Sequence, residues 1–150
     1  MSMHFSIFRI PSSEFDWFKN ASYEDIEKKI EGPDLAGDRI FDTEIYYAEL
    51  HYVLTGTESG GQGPRSLIMN DYGEPMKHKR SYGPGRLLSA KSVQELQSEI
   101  SRYVTPDVIS ERIKTFDKED RPEIKKAFKE FCSFVSAAVE AGEVLMTLWS

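Results

Sequence analysis

Apolar residues near the start of the chain alternate as a strand requires. Met3, Phe5 and Ile7 fall on one face, while Phe8 and Ile10 make the opposite face apolar too. A strand apolar on both sides predicts cover on both sides, and Pro11 ends it. Ser13, with Asp16 three residues on, opens a short helix through Phe15, Trp17 and Phe18 that breaks at Asn20 and Ala21. Ser22 caps a second helix, with Tyr23, Ile26 and Ile30 on one stripe and Gly32-Pro33 as the stop. Residues 34–39 read as a loop. Asp42 or Thr43 then caps a third helix, whose apolar face is Tyr46, Tyr47, Leu50, Val53 and Leu54. Gly56 suits its left-handed C-terminal stop.

No period is sustained between Thr57 and Gly85, where seven glycines counted from Gly56 lie among Pro64, Pro75 and Pro84. Leu67-Ile68-Met69 is the one apolar anchor, sized for a single helical turn. So long a connection in a compact domain is usually functional. Arg86-Leu87-Leu88 reads as a short strand. Ser89 caps a helix carrying Val93, Leu96, Ile100 and Tyr103, and Thr105-Pro106 starts another with Ile109, Ile113 and Phe116 inward. Asp120 and Glu123 flank the start of the longest helix, whose core face is Ile124, Ala127, Phe128, Phe131, Val135 and Ala138. Gly142 ends it, and Val144 to Trp149 form an apolar closing strand. The pattern predicts one α+β domain over residues 1–150. Its small mixed sheet includes the N- and C-terminal strands, paired at the centre, with about five or six helices and one long glycine-rich loop.

Charge changes this picture by its distribution rather than its total. The net charge is −6, yet residues 14–58 hold twelve acids against four bases, and residues 59–91 hold two acids against six bases. The acidic first half disfavours nucleic acid and anionic membrane and favours a basic protein partner. The surface expected to meet it combines the acids Glu24, Glu27, Glu31, Asp34 and Asp38 with the loop 57–86. One cysteine, Cys132, excludes an internal disulfide framework, and three scattered histidines match no zinc spacing. No segment has the length of a membrane span or the form of a signal peptide, so the expected location is cytoplasmic. Nothing specifies a cofactor or a metal.

Candidate chemistry concentrates where the third helix meets the glycine loop. His51 lies near the helix C-terminus, where the macrodipole favours its charged form. Turned inward, its ring needs a carbonyl or carboxylate partner. Thr55 is placed to return its hydroxyl to a helix carbonyl. Arg65 and Arg86 flank the loop, and each can clamp a carboxylate, whether internal or from a partner. Tyr47 and Tyr82 complete the candidate binding set. Gly60-Gly61-Gln62-Gly63 lacks the Gly-Lys-Ser/Thr ending of a phosphate loop, and no serine or cysteine occupies a nucleophile elbow. Lys77-His78-Lys79-Arg80 beside Tyr72 and Tyr82 could touch RNA or phosphate, but four such residues in a loop of an acidic protein are more often solvated.

Several segments, taken in order, resemble the YfbM-like family of bacterial proteins, a group with no established biochemical function. Met1-Ser2-Met3 is similar to its Met-Gly-Met opening. Leu50-His51-Tyr52-Val53-Leu54-Thr55-Gly56 is similar to its Leu-His-aromatic-x-Leu-Thr-Gly segment. Pro64 to Asn70 resembles its Pro-Leu-Ser region, and Tyr82-Gly83-Pro84-Gly85-Arg86-Leu87-Leu88-Ser89 its Tyr-Gly-Pro-x-Arg-x-Leu-Thr segment. Tyr47 stands where the family tends to have tryptophan, and its Tyr-Pro element before the last helix is replaced by the turn around Asp117–Arg121. Small bacterial domains of this sort can serve as immunity proteins. The sequence therefore favours a non-enzymatic module that binds a basic toxin or effector. The alternative is a small-molecule enzyme or sensor with its pocket under loop 57–86.

Overall fold

A computed structural model describes residues 4–43, 45–69, 72–80 and 83–150, the side chains of 78–80 excepted. The expected start of the first strand at Met3 and the candidate Tyr82 lie outside the described residues. Among the described residues, five strands form one sheet: β1 (Phe5–Ile10), β2 (Ile40–Asp42), β3 (Glu74–Arg80), β4 (Gly83–Leu88) and β5 (Val144–Trp149). Their order is β2-β1-β5-β4-β3, so β5 is central and β1 lies beside it. Six α-helices accompany them: α1 (Phe15–Asn20), α2 (Tyr23–Glu31), α3 (Tyr47–Thr55), α4 (Ala90–Tyr103), α5 (Pro106–Ile113) and α6 (Arg121–Glu140).

The α+β class and the pairing of the two terminal strands agree with the apolar pattern. β1 and β5 pair from Phe5 opposite Trp149 to Ile10 opposite Val144. Side-chain alternation sends the two faces of these strands into separate cores. Phe5, Ile7 and Leu145 join Leu50, Val53, Leu54, Val93, Leu96, Phe131 and Val135 beneath α3, α4 and α6. Phe8, Ile10, Val144, Met146 and Leu148 join Phe18, Ile26 and Leu35 beneath α1 and α2. The sheet is thus sandwiched between helices. Uncovering Val144, Met146 and Leu148 alone would cost roughly 5–9 kcal/mol, comparable with the whole stability of a small domain.

Three expectations are corrected. The sheet is antiparallel at every pairing among the described residues, not mixed. The expected loop 57–86 ends early, because β3 and β4 form an antiparallel hairpin. Its outer strand, Glu-Pro-Met-Lys-His-Lys-Arg, is charged and contains proline, as suits an edge, and so hides the period-two signal. Ile40–Asp42 forms a strand that the sequence did not suggest, with Asp42 in it rather than capping a helix. Thr43 does not cap α3; its Oγ1 donates to the Phe5 carbonyl at 3.0 Å, and the helix begins at Tyr47. The caps on α2, α4 and α5 form as expected, with Ser22, Ser89 and Thr105 accepting from the backbone N–H groups of Asp25, Ser92 and Val108.

Two local features fix the frame. Gly85 lies so close under β5 that an added Cβ would fall inside the Leu148 side chain and 3.0 Å from Met76 Sδ. At the other end of the sheet, Glu143 is 5% exposed and accepts from both Arg9 and Arg39. That ion triad ties β1, the turn before β2 and the entry to β5 together.

Candidate functional site

The C-terminus of α3 is tied down by a left-handed glycine, a threonine hydroxyl and two arginines. Gly56 takes the left-handed conformation, φ 77°, and its N–H donates to the Tyr52 carbonyl. The last carbonyls of a helix lack partners within it, and here two arginines supply them. Arg112 Nη1 donates to Val53 O at 2.7 Å, and Arg65 Nη1 to Leu54 O at 3.4 Å. Both cations sit at the negative end of the helix dipole. Thr55 Oγ1 donates to His51 O at 2.8 Å, the back-bond its position suggests.

His51 departs from expectation. It is fully buried, and neither ring nitrogen makes a hydrogen bond of normal geometry, although the Gly60 backbone lies near enough to interact with the ring. Burial lowers its pKa below the ordinary value, and the backbone of Gly60 opposes this to a lesser extent. The helix dipole favours the imidazolium locally, but desolvation outweighs it, so the ring is held neutral.

The remaining candidates point to separate places. Tyr47 packs edge-on against Trp149 at 5.1 Å. Arg86, paired with Thr147 in the β4–β5 register, donates from Nη1 to Gly73 O at 3.1 Å. Of the described candidates, Arg65 alone lines the open groove between the glycine loop and α4. This groove, about 570 Å³, is bounded by Gln62, Gly63, Arg65, Ser98, Glu99, Arg102 and Tyr103. In it Arg65 Nε donates to Glu99 Oε1 at 3.1 Å, and the Arg65 and Arg102 guanidiniums lie 4.8 and 5.2 Å from the centre of the Tyr103 ring. Burial, and then the nearby charge of Arg65, pull Arg112 below its ordinary pKa.

On the opposite side of the sheet, Glu24, Glu31, Asp34 and Asp38 are exposed and Glu27 is half-buried. Tyr23, expected to face inward, is 50% exposed, and Trp17 is 44% exposed. A second hollow, about 470 Å³, is lined by Glu14, Trp17, Asp25, Lys28, Lys29 and Asp34 among others. Lys29 closes one wall, 3.1 Å from Asp34 and 3.8 Å from Glu14, with its ammonium 5.7 Å from the Trp17 ring centre.

Sequence reasoning missed Arg102, Arg112 and the exposure of Trp17, Tyr23 and Tyr103. The helical period placed Tyr23 and Tyr103 on apolar stripes, and only the packing of α2 and α4 shows that each stripe ends before them. Among the described residues, no group of three or more His, Cys, Asp or Glu is placed to hold a metal ion. Cys132 is partly buried on α6, and burial pushes its thiol up to about 11. Lys77 is exposed, and the rest of the basic stretch has no described side chain. No helix among the described residues is long and apolar enough to cross a membrane.

Comparison with known proteins places this architecture. No curated protein sequence matches the chain. Among solved structures, the chain is similar to the Escherichia coli protein of unknown function YfbM. Identity is 15% and the TM-score 0.70, over 98% of this chain and 99% of that one. At that identity the likeness speaks for the fold alone. A family model described as a domain of unknown function, DUF1877, matches residues 1–148. With nearly its whole length matched, the chain belongs to the DUF1877 family.

Proposed function

We propose that the chain is a non-enzymatic protein-binding module whose α1–α2 face takes a basic partner, such as a toxin or effector that it neutralises. The observation carrying this reading is a pair of outward aromatics, Trp17 and Tyr23, on a strongly acidic surface. Residues 14–38 hold eight acids against three lysines. Lys29 engages Glu14 and Asp34, whereas Glu24, Glu31 and Asp38 have no cationic partner within 4.0 Å among the described residues. Tryptophan and tyrosine are favoured as anchors at the centre of interfaces, and surrounding like charges steer an oppositely charged partner toward them.

The test is affinity capture at low salt from cells that express the protein, followed by titration of the purified partner. Trp17→Ala should weaken binding by about 30-fold or more, as expected for an anchor residue. The double substitution Glu24→Lys with Glu31→Lys should slow association and flatten its salt dependence. If the captured partner is acidic, or binds both variants as it binds the wild type, the α1–α2 reading is wrong.

A further inference from the structure

On the face opposite the acidic helices, the groove between residues 62–65 and α4 has charge left over. Two arginines line it, Arg65 from the loop and Arg102 from α4, and Arg112 of α5 lies near enough to Arg65 to feel its charge. Among the described residues one carboxylate, Glu99, is paired with them, and it engages Arg65. Arg112 is committed to Val53 O. Arg102 is exposed, stacked on Tyr103, with no carboxylate within 4.0 Å among the described residues. Two guanidiniums therefore share one tyrosine ring, and one of them has no counter-charge. The edge of a stacked guanidinium presents parallel N–H groups that match a planar carboxylate.

We infer that this groove is a recognition site for a carboxylate, held by Arg102 against the Tyr103 ring. Ser98 and Gln62 line the same groove and add polar groups around the incoming oxygens. Glu99 sets the class of ligand. Because Glu99 already holds Arg65, one guanidinium edge is left, and its parallel N–H groups match a single planar carboxylate. The groove also continues along α4, since Ser98 and Glu99 line an adjoining hollow with Lys91, Gln94 and Glu95. Glu95 and Glu99 outweigh Lys91 there, so the ligand is a chain segment or a small free acid that brings its carboxylate to Arg102 rather than along α4. Both present the same group to Arg102.

Calorimetric titration of the full chain at low ionic strength separates these sources, with succinate and an end-blocked peptide of alternating aspartate and glycine as probes. Saturable binding of either probe, weakened about tenfold by Arg102→Gln, supports the site. Succinate alone binding assigns a free carboxylate ligand, and the peptide alone binding assigns a protein source. Arg102 is exposed, so the unfolding midpoint of the variant should match the wild type. Glu99→Gln, which releases Arg65 and removes the competing charge, should tighten binding. Absence of saturable binding by both probes overturns the inference, as does equal affinity in wild type and Arg102→Gln.

Discussion

Lowering the pH from about 8 to about 5 should remove stability from the wild-type protein that a His51→Leu variant keeps. His51 is fully buried on α3, and burial depresses its pKa below 6.5. In the unfolded chain the same imidazole titrates near its ordinary value. Between the two values the unfolded state holds a proton that the folded state does not, so stability falls as the pH drops. The contribution is complete above about 6.5 and declines below it, by at most roughly 1.4 kcal/mol per pH unit for one proton, until the folded-state pKa is reached. Leucine nearly matches imidazole in volume, so the substitution should change stability by less than about 1.5 kcal/mol at pH 8 while abolishing this slope. Urea unfolding at a series of pH values measures it, with the wild-type-minus-variant difference as the readout so that carboxylate titrations common to both cancel. Parallel curves for the two proteins across this range would show that His51 keeps its ordinary pKa and that burial does not hold it neutral.

Two further outcomes follow from buried groups elsewhere. Glu143→Ala leaves Arg9 and Arg39 facing one another without their shared carboxylate, and should destabilise the fold by about 3 kcal/mol in chemical unfolding; a loss below about 0.5 kcal/mol would mean that the triad is replaced by solvent. Cys132, its thiol raised to about 11, should react with a disulfide reagent at neutral pH far more slowly in the native protein than in urea; equal rates would contradict its burial.

What could be read from the sequence follows the range of each interaction. Helix starts at Ser22, Ser89 and Thr105 were legible because a cap is a contact between residues three apart. The pairing of β1 with β5 was legible because each strand is apolar on both faces and so needs cover twice. β2 was not, since Ile40-Phe41-Asp42 is too short to show alternation. The β3–β4 hairpin was hidden by the charges and prolines that its position at the sheet edge favours. His51 shows the same division within one residue. Its helix position correctly gave the sign of the dipole, but the larger effect, burial, comes from the packing around it. The α4 groove depends on Arg65 and Arg102, which are remote in the chain and meet only through the packing of the glycine loop against α4.

The position of β5 bears on how the molecule is made. It is the last of the five strands in chain order, yet it is the seam between the β1–β2 ribbon and the β3–β4 ribbon. Before Val144 leaves the ribosome, these are two separate two-stranded pieces, each marginal alone and each with an unpaired edge. The final insertion fuses them and closes both hydrophobic layers in one event. A nascent polypeptide halted short of that point would offer two adhesive half-sheets to whatever chaperone or protease arrived first.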